Sequence, residues 1–207
     1  MYIELLDTLR CVVDHPQIPL VTAITDRDGR FVVNAVMGCP TCRAEYAIEN
    51  GVACFRPPET NISLVEPVDD SDDDVAVRVA AFLDVSEGAV IGLIGTWATK
   101  SAEVAEVSGS RVFALNSLVA LEESDRLGII RTGRRLPFAD GGLRGIAIGE
   151  PGWNTHDIEA AARALAPGGR MVLPVSVDLP SVLQEVAHDD ALRVAEKRGP
   201  LVALRRR

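Results

Sequence analysis

The chain has 207 residues, of which 47% are hydrophobic and 25% charged, and its formal net charge is −9. This composition is typical of a globular protein and excludes a mainly disordered one. The negative charge argues against a large nucleic-acid-binding surface, because an acidic surface repels phosphate groups. No stretch has the ~18 uninterrupted apolar residues that cross a bilayer. The N-terminus also lacks the pattern of a signal peptide, so we expect a cytoplasmic protein with no membrane association.

The first quarter of the chain predicts a small β-rich unit. Residues 20–25 and 30–36 indicate a hairpin around Asp28 and Gly29, and residues 46–48 and 51–55 indicate further strands. The same unit holds all four cysteines of the chain, and a cysteine in a cytoplasmic protein is more often a ligand than part of a disulfide. These are Cys11, Cys39, Cys42 and Cys54.

Cys39 and Cys42 form a C-x-x-C motif, which places two thiolates on one side of a tight turn where they can share a tetrahedral ion. Cys11 and His15 supply a second pair, so we predict a structural zinc site formed by these four residues. Cys54 is an alternative fourth ligand in place of His15, but its strand-like surroundings favour a small buried apolar role.

A redox function for the C-x-x-C motif is disfavoured. A thioredoxin-type motif opens a helix, whereas a strand pattern follows Cys42. The size of the unit also favours a metal, since about sixty residues with few aromatics bury too little apolar surface to fold firmly alone.

The stretch from Leu5 to Phe55 resembles the zinc ribbon of activator subunits of tRNA and protein methyltransferases. The resemblance rests on residues 5–11, Leu-Leu-Asp-Thr-Leu-Arg-Cys, and on the C-x-x-C motif followed by Tyr-Ala-Ile-Glu-Asn-Gly-Val at residues 46–52. The family usually has C-P-x-C as its first pair, whereas here Val-Val-Asp-His follows Cys11. The family's ribbons pair with a methyltransferase domain, which implies a protein partner or a homodimer for this chain.

Prolines and an aspartate run then predict a linker. We place a zinc-ribbon domain at residues 1–58, the linker at 59–74 and an α/β domain at 75–207. A helix is predicted from residue 75 to 83. Beyond it, apolar runs alternate with helical patterns, which predicts a doubly wound and mainly parallel sheet. Strands are predicted at residues 89–95, 111–115, 128–131, 143–148, 170–175 and 192–197. Helices are predicted at residues 96–107, 118–123, 157–165 and 180–187, and residues 201–205 are predicted to close a C-terminal antiparallel hairpin with 192–197.

The α/β part resembles class I S-adenosylmethionine-dependent methyltransferases. The matching pieces are Leu-Pro-Phe-Ala-Asp-Gly-Gly at residues 136–142 and Arg-Ala-Leu-Ala-Pro-Gly-Gly-Arg-Met at residues 163–171. The resemblance implies a cofactor site with an acidic residue and alternate glycines after the first strand. This chain has Gly92 in place of the acid, and it has Ile94, Thr96 and Ala98 in place of the glycines.

Two further acidic positions of the family are also replaced. Asn116 stands where an acid binds the ribose, and Thr132 stands where an acid faces the adenine. Side chains at the glycine positions, with Trp97 among them, would fill the space that the cofactor needs. We therefore expect no S-adenosylmethionine binding. The sequence favours a non-catalytic, methyltransferase-like protein that acts by binding a protein, and the alternative is an active methyltransferase with a divergent cofactor pocket.

Overall fold

The computed structural model describes residues 1–55, 74–118, 124–133, 135–149 and 155–199. A single mixed sheet of eleven strands runs through this part of the chain, in the order β1-β2-β3-β4-β7-β6-β5-β8-β9-β11-β10. The strands are β1 (Val21–Asp28), β2 (Phe31–Gly38), β3 (Glu45–Glu49), β4 (Val52–Phe55), β5 (Val90–Ile94), β6 (Arg111–Leu115), β7 (Leu127–Thr132), β8 (Leu143–Ile148), β9 (Leu165–Pro174), β10 (Leu183–His188) and β11 (Leu192–Lys197). The helices are α1 (Ile3–Leu6), α2 (Asp74–Leu83), α3 (Ser101–Ser108), which follows a 3₁₀ turn at Gly95–Lys100, and α4 (Thr155–Ala164).

The central strands form a doubly wound sheet. The chain enters at β5, moves outward through β6 to β7, and then returns to β8, which lies on the other side of β5. All pairings from β7 across to β9 are parallel. The strand order therefore reverses between β5 and β8, and in such sheets ligands bind in the crevice outside the carboxyl ends of these two strands.

Helices cover both faces of the central sheet, as parallel strands that are apolar on both faces require. Side chains of α2 and α3 share one buried cluster with alternate residues of the central strands, such as Leu93 and Val112. Side chains of α1 and α4 share the other cluster with Ile94 and Phe113. The second cluster also continues into β2, β3 and β4, so the N-terminal strands have no separate core.

The N-terminal strands are joined edge to edge with the central sheet. β4 pairs in parallel with β7 over four residues, from Val52 opposite Ile129 to Phe55 opposite Thr132. Leu5 of α1 is fully buried at this junction. A Cβ atom on Gly128 of β7 would lie 3.1 Å from the Leu5 Cδ1 atom and 3.0 Å from the Phe113 ring. The absence of a side chain at Gly128 therefore allows Leu5 to pack against β7.

The fold class predicted from the sequence is confirmed: a doubly wound α/β sheet with parallel central strands is preceded by a β-rich unit. The strands predicted at 111–115 and 143–148 are found at those residues as β6 and β8. The linker was predicted at residues 59–74, and of these all but Asp74, the first residue of α2, lie outside the described residues. The domain boundaries stay a prediction.

One predicted helix is wrong. Residues 180–187 were expected to be helical, but β10 occupies most of this stretch and pairs antiparallel with β11. The antiparallel hairpin at this end of the sheet is therefore formed by β10 and β11. The strand predicted at 201–205 falls outside the described residues, and so does the helix predicted at 118–123 except for Leu118. Among the helices that the structure describes, none is long and apolar enough to cross a membrane.

The junction at Leu5 gives a stability prediction. We expect Leu5→Ala to lower the free energy of unfolding by about 2–5 kcal/mol, because it leaves a cavity between α1 and β7. Chemical denaturation followed by circular dichroism measures this value. Val21→Ala is the control, since Val21 is 65% exposed and exposed substitutions usually change stability by less than about 0.5 kcal/mol. Equal effects of the two substitutions would contradict the buried junction.

Candidate metal centre and the crevice at the strand ends

Two loops of the N-terminal unit bring the four predicted zinc ligands together. Cys11 and His15 lie in the loop between α1 and β1, and Cys39 and Cys42 lie in the turn between β2 and β3. One ligand atom from each residue lies within 4.8 Å of the others. The Cys11 and Cys42 Sγ atoms are 3.5 Å apart, and the Cys39 Sγ atom is 3.3 Å from His15 Nε2. In a tetrahedral zinc site the distance between two such ligand atoms is about 3.6–3.8 Å, so the four side chains are spaced to bind one ion.

The hydrogen bond that His15 makes with the backbone leaves its Nε2 atom available as a metal ligand. Its Nδ1 atom is 2.7 Å from the Pro16 carbonyl oxygen, so Nδ1 carries the proton and donates it to that oxygen. Nε2 then has a free lone pair, and this is the atom that faces Cys39. A histidine that binds a metal through one ring nitrogen is usually oriented by a hydrogen bond from the other ring nitrogen. The hydrogen bond to Pro16 also raises the pKa of His15.

The turn that holds Cys39 stabilises a thiolate. Burial opposes ionisation of this thiol, but the backbone N–H groups of Cys42 and Thr41 donate to it, and its pKa is lowered to about 7. The Cys11 thiol lies in a different environment, and burial raises its pKa. Metal ligation requires the thiolate form, so Cys39 is better prepared for it than Cys11 is.

Cys54 is not part of this group. In β4 it alternates with Ala53 and Phe55, which are buried. Cys54 is paired with Ala47, so these two side chains lie on the same face of the sheet. The neighbouring Tyr46, whose hydroxyl contacts Cys11, lies on the opposite face. Cys54 is therefore no substitute for His15 in this fold.

The loop that carries Cys11 and His15 is fastened to the α/β part. The Arg10 N–H donates to the Pro137 carbonyl oxygen at 2.8 Å, and the Ala139 N–H donates to the Thr8 carbonyl oxygen at 3.3 Å. The Arg135 side chain donates to the Val12 carbonyl oxygen at 3.2 Å. A metal bound at the four ligands would thus hold a loop that packs on residues 135–139.

Thr96, which stands where the resemblance places a glycine, and the neighbouring Trp97 lie at the crevice between β5 and β8. A Cβ atom on Gly149, just after β8, would lie 2.3 Å from the Thr96 Oγ1 atom and 2.9 Å from the Trp97 Cδ1 atom. The Gly149 N–H also donates to the Ile94 carbonyl oxygen at 2.9 Å. Thr96 and Trp97 therefore pack directly over the point where β5 and β8 end. Residues 150–154, which follow, lie outside the described residues.

Asn116 and Thr132, which stand where the resemblance places acidic residues, are hydrogen-bonded to each other. The Asn116 Nδ2 group donates to the Thr132 carbonyl oxygen at 3.0 Å, and the Thr132 N–H donates to Asn116 Oδ1 at 2.9 Å. Asn116 has a φ angle of 55°, a left-handed conformation that asparagine tolerates better than most residues. The Thr132 hydroxyl donates to the Arg135 carbonyl oxygen at 2.6 Å. Both side chains are thus engaged within the protein.

Three of the solved structures that are similar to the chain are the following. One is a complex between the Haloferax volcanii Trm112 methyltransferase activator and a protein described as a methyltransferase (17% identity, TM-score 0.49, 64% of this chain and 100% of that chain). Another is TrmN from Thermus thermophilus (17%, 0.45, 60% and 48%). A third is a Methanococcus maripaludis protein described as an S-adenosyl-L-methionine-dependent methyltransferase (12%, 0.49, 61% and 84%). No protein-family model and no curated protein matches the sequence.

The Asn116–Thr132 pair gives a second stability prediction. Asn116→Asp removes the Nδ2 donor and sets a carboxylate against the Thr132 carbonyl oxygen, so we expect a loss of about 1–3 kcal/mol, measured by chemical denaturation. Asn50→Asp is the matched control, because Asn50 is exposed and also has a positive φ of 49°. An Asn116→Asp variant as stable as the control would show that the paired hydrogen bonds contribute nothing.

Proposed function

We propose that this chain is a non-catalytic, methyltransferase-like protein that is braced by a zinc ion and acts by binding another protein. The observation that carries the proposal is that the residues at the expected cofactor positions contact one another or neighbouring residues of the protein. Asn116 and Thr132 bond to each other, and Thr96 and Trp97 pack on Gly149. A cofactor would have to displace these contacts before it could enter the crevice.

The zinc part of the proposal rests on the four ligands. Three cysteines and one histidine within 4.8 Å of one another suit zinc, which prefers sulfur and nitrogen ligands in a tetrahedral arrangement. Four protein ligands leave no coordination position for water or a substrate, so the ion would be structural. It would fix the loop at residues 11–15 to the turn at residues 39–42, and through the Arg10–Pro137 and Arg135–Val12 contacts it would brace the α/β part.

The protein-binding part is supported by an exposed apolar patch on the N-terminal strands. Val21 is 65% exposed and Val36 is 39% exposed. Val36 pairs with Ala23 across β1 and β2, and Ala23 shares a face with Val21 because the two lie two residues apart on one strand. The partner is a different protein or a second copy of the chain. Light scattering distinguishes the two, since a single chain has a mass of 22.2 kDa.

One observation favours the alternative, a methyltransferase or other ligand-binding protein with a divergent pocket. The Trp97 Nε1 atom is buried and has no hydrogen-bond partner among the described residues. A buried donor of this kind is costly unless an acceptor reaches it, and a small ligand in the crevice could supply that acceptor.

Titration calorimetry separates the two functions. We expect neither S-adenosylmethionine nor S-adenosylhomocysteine to bind the zinc-loaded chain with a Kd below about 1 mM, which corresponds to about −4 kcal/mol. Micromolar binding of either compound would overturn the non-catalytic function and favour the methyltransferase.

Elemental analysis tests the zinc site. We expect one zinc ion per chain, and we expect Cys39→Ser to lose most of it. The melting temperature of this variant should fall by about 10 °C, because in a chain of this size each kcal/mol lost lowers it by about 2–4 °C and structural zinc contributes several kcal/mol. Cys54→Ser is the matched control and should keep both zinc and stability. A Cys39→Ser variant that retains its zinc would refute the assigned ligands.

A further inference from the structure

Tyr46 of β3 reaches the metal centre from the buried side. Its hydroxyl oxygen lies 3.1 Å from the Cys11 Sγ atom and 3.3 Å from the Val12 backbone nitrogen. The residue is only 7% exposed, so no bulk water competes for these contacts. Tyr46 is not one of the four ligands, and the zinc site as proposed above does not require it.

The direction of the two hydrogen bonds follows from their chemistry. The Val12 N–H can only donate, so the Tyr46 oxygen accepts from it. The hydroxyl proton is then available for Cys11, and a metal-bound thiolate has no proton of its own and can only accept. The Val13 N–H also points to the Cys11 sulfur, at 3.4 Å. The Cys11 thiolate thus receives hydrogen bonds from a side chain and from the backbone.

The hydroxyl is held in place by the sheet and the core. Tyr46 pairs with Met37 of β2, and its ring packs on Phe55 with 4.6 Å between centroids and an interplanar angle of 32°. A donor that is fixed in this way needs no reordering when a metal binds. Apart from contacts among the ligands themselves, their other described side-chain partners are backbone groups. These are the Val13 N–H for Cys11, the Pro16 carbonyl for His15 and the N–H groups of residues 41 and 42 for Cys39.

We propose that Tyr46 is a positioning residue of the metal centre, whose hydroxyl donates to the Cys11 thiolate and thereby increases the affinity for zinc. A charge-assisted hydrogen bond to a buried thiolate compensates for the loss of hydration, and such partners of metal ligands are generally worth 10–100-fold in affinity. This inference rests on the proposed zinc site.

The test compares Tyr46→Phe with Tyr2→Phe in the full chain. Both variants remove one hydroxyl and keep the ring, and these are the two tyrosines of the chain. Zinc affinity is measured at fixed pH by competition with a chromophoric chelator, and we expect about a 10-fold loss for Tyr46→Phe and none for Tyr2→Phe. In the cobalt-substituted protein, the sulfur-to-cobalt charge-transfer band should move to lower energy in Tyr46→Phe alone, because the sulfur lone pair loses its hydrogen bond.

A second measurement covers the case in which Tyr46→Phe does not fold. In the Tyr2→Phe background Tyr46 is the single tyrosine, so uniform replacement by 3-fluorotyrosine changes this hydroxyl alone. Fluorination makes the hydroxyl a stronger donor, and the charge-transfer band should then move to higher energy. Either spectral shift supports the hydrogen bond.

The outcomes separate this inference from the zinc site itself. If the unmodified chain binds zinc, but the cobalt band stays in place in both Tyr46 experiments, Tyr46 has no positioning role and the zinc site stands. A loss of affinity without a band shift would show that Tyr46 supports only the packing around Phe55, which overturns the inference. If the unmodified chain binds no zinc, the proposed zinc site and this inference both fail.

Discussion

The parallel pairing of β4 with β7 is the interaction on which the arrangement of the molecule depends. It joins a strand of the N-terminal unit to a strand of the central sheet, so that both belong to one sheet. Because the sheet is continuous, the buried cluster below it is continuous too, and it runs from Met37 and Tyr46 to Phe113 and Phe138. The Tyr46 ring packs on Phe55 at the end of β4, so this pairing also positions the side chain that touches Cys11.

The loop at residues 11–15 and the crevice between β5 and β8 are linked through one short stretch of the chain. Arg135 contacts the loop at Val12 with its side chain, and its carbonyl oxygen accepts from the Thr132 hydroxyl. Thr132 in turn holds Asn116 at the end of β6. A metal bound by this loop would therefore be connected, through backbone and side-chain hydrogen bonds, to the ends of β6 and β7.

Parts of the fold and of the site are local properties of the sequence. The strands β6 and β8 are mostly apolar and are buried on both faces except at Arg111 and Arg144, so they can be recognised from composition alone. Cys39 and Cys42 are recognisable because the turn that brings them together spans only four residues. β10 could not be recognised in this way. It is an edge strand in which only Leu183 is buried, so it lacks the alternation that identifies a strand, and its pairing with β11 determines its conformation.

The amino-acid order by itself determined the layered α/β class, the cysteine-rich unit and the residue types at the strand ends, such as Asn116 and Thr132. These features depend on residue type and on spacing over a few positions. The tertiary structure alone decided that His15 and not Cys54 joins the cysteines, since the two faces of β4 differ only once β3 is paired beside it. It also decided that Asn116 bonds to Thr132 and that Tyr46 meets Cys11. Those contacts join residues 16 and 35 positions apart, and distances of this kind are set by which strands become neighbours in the sheet.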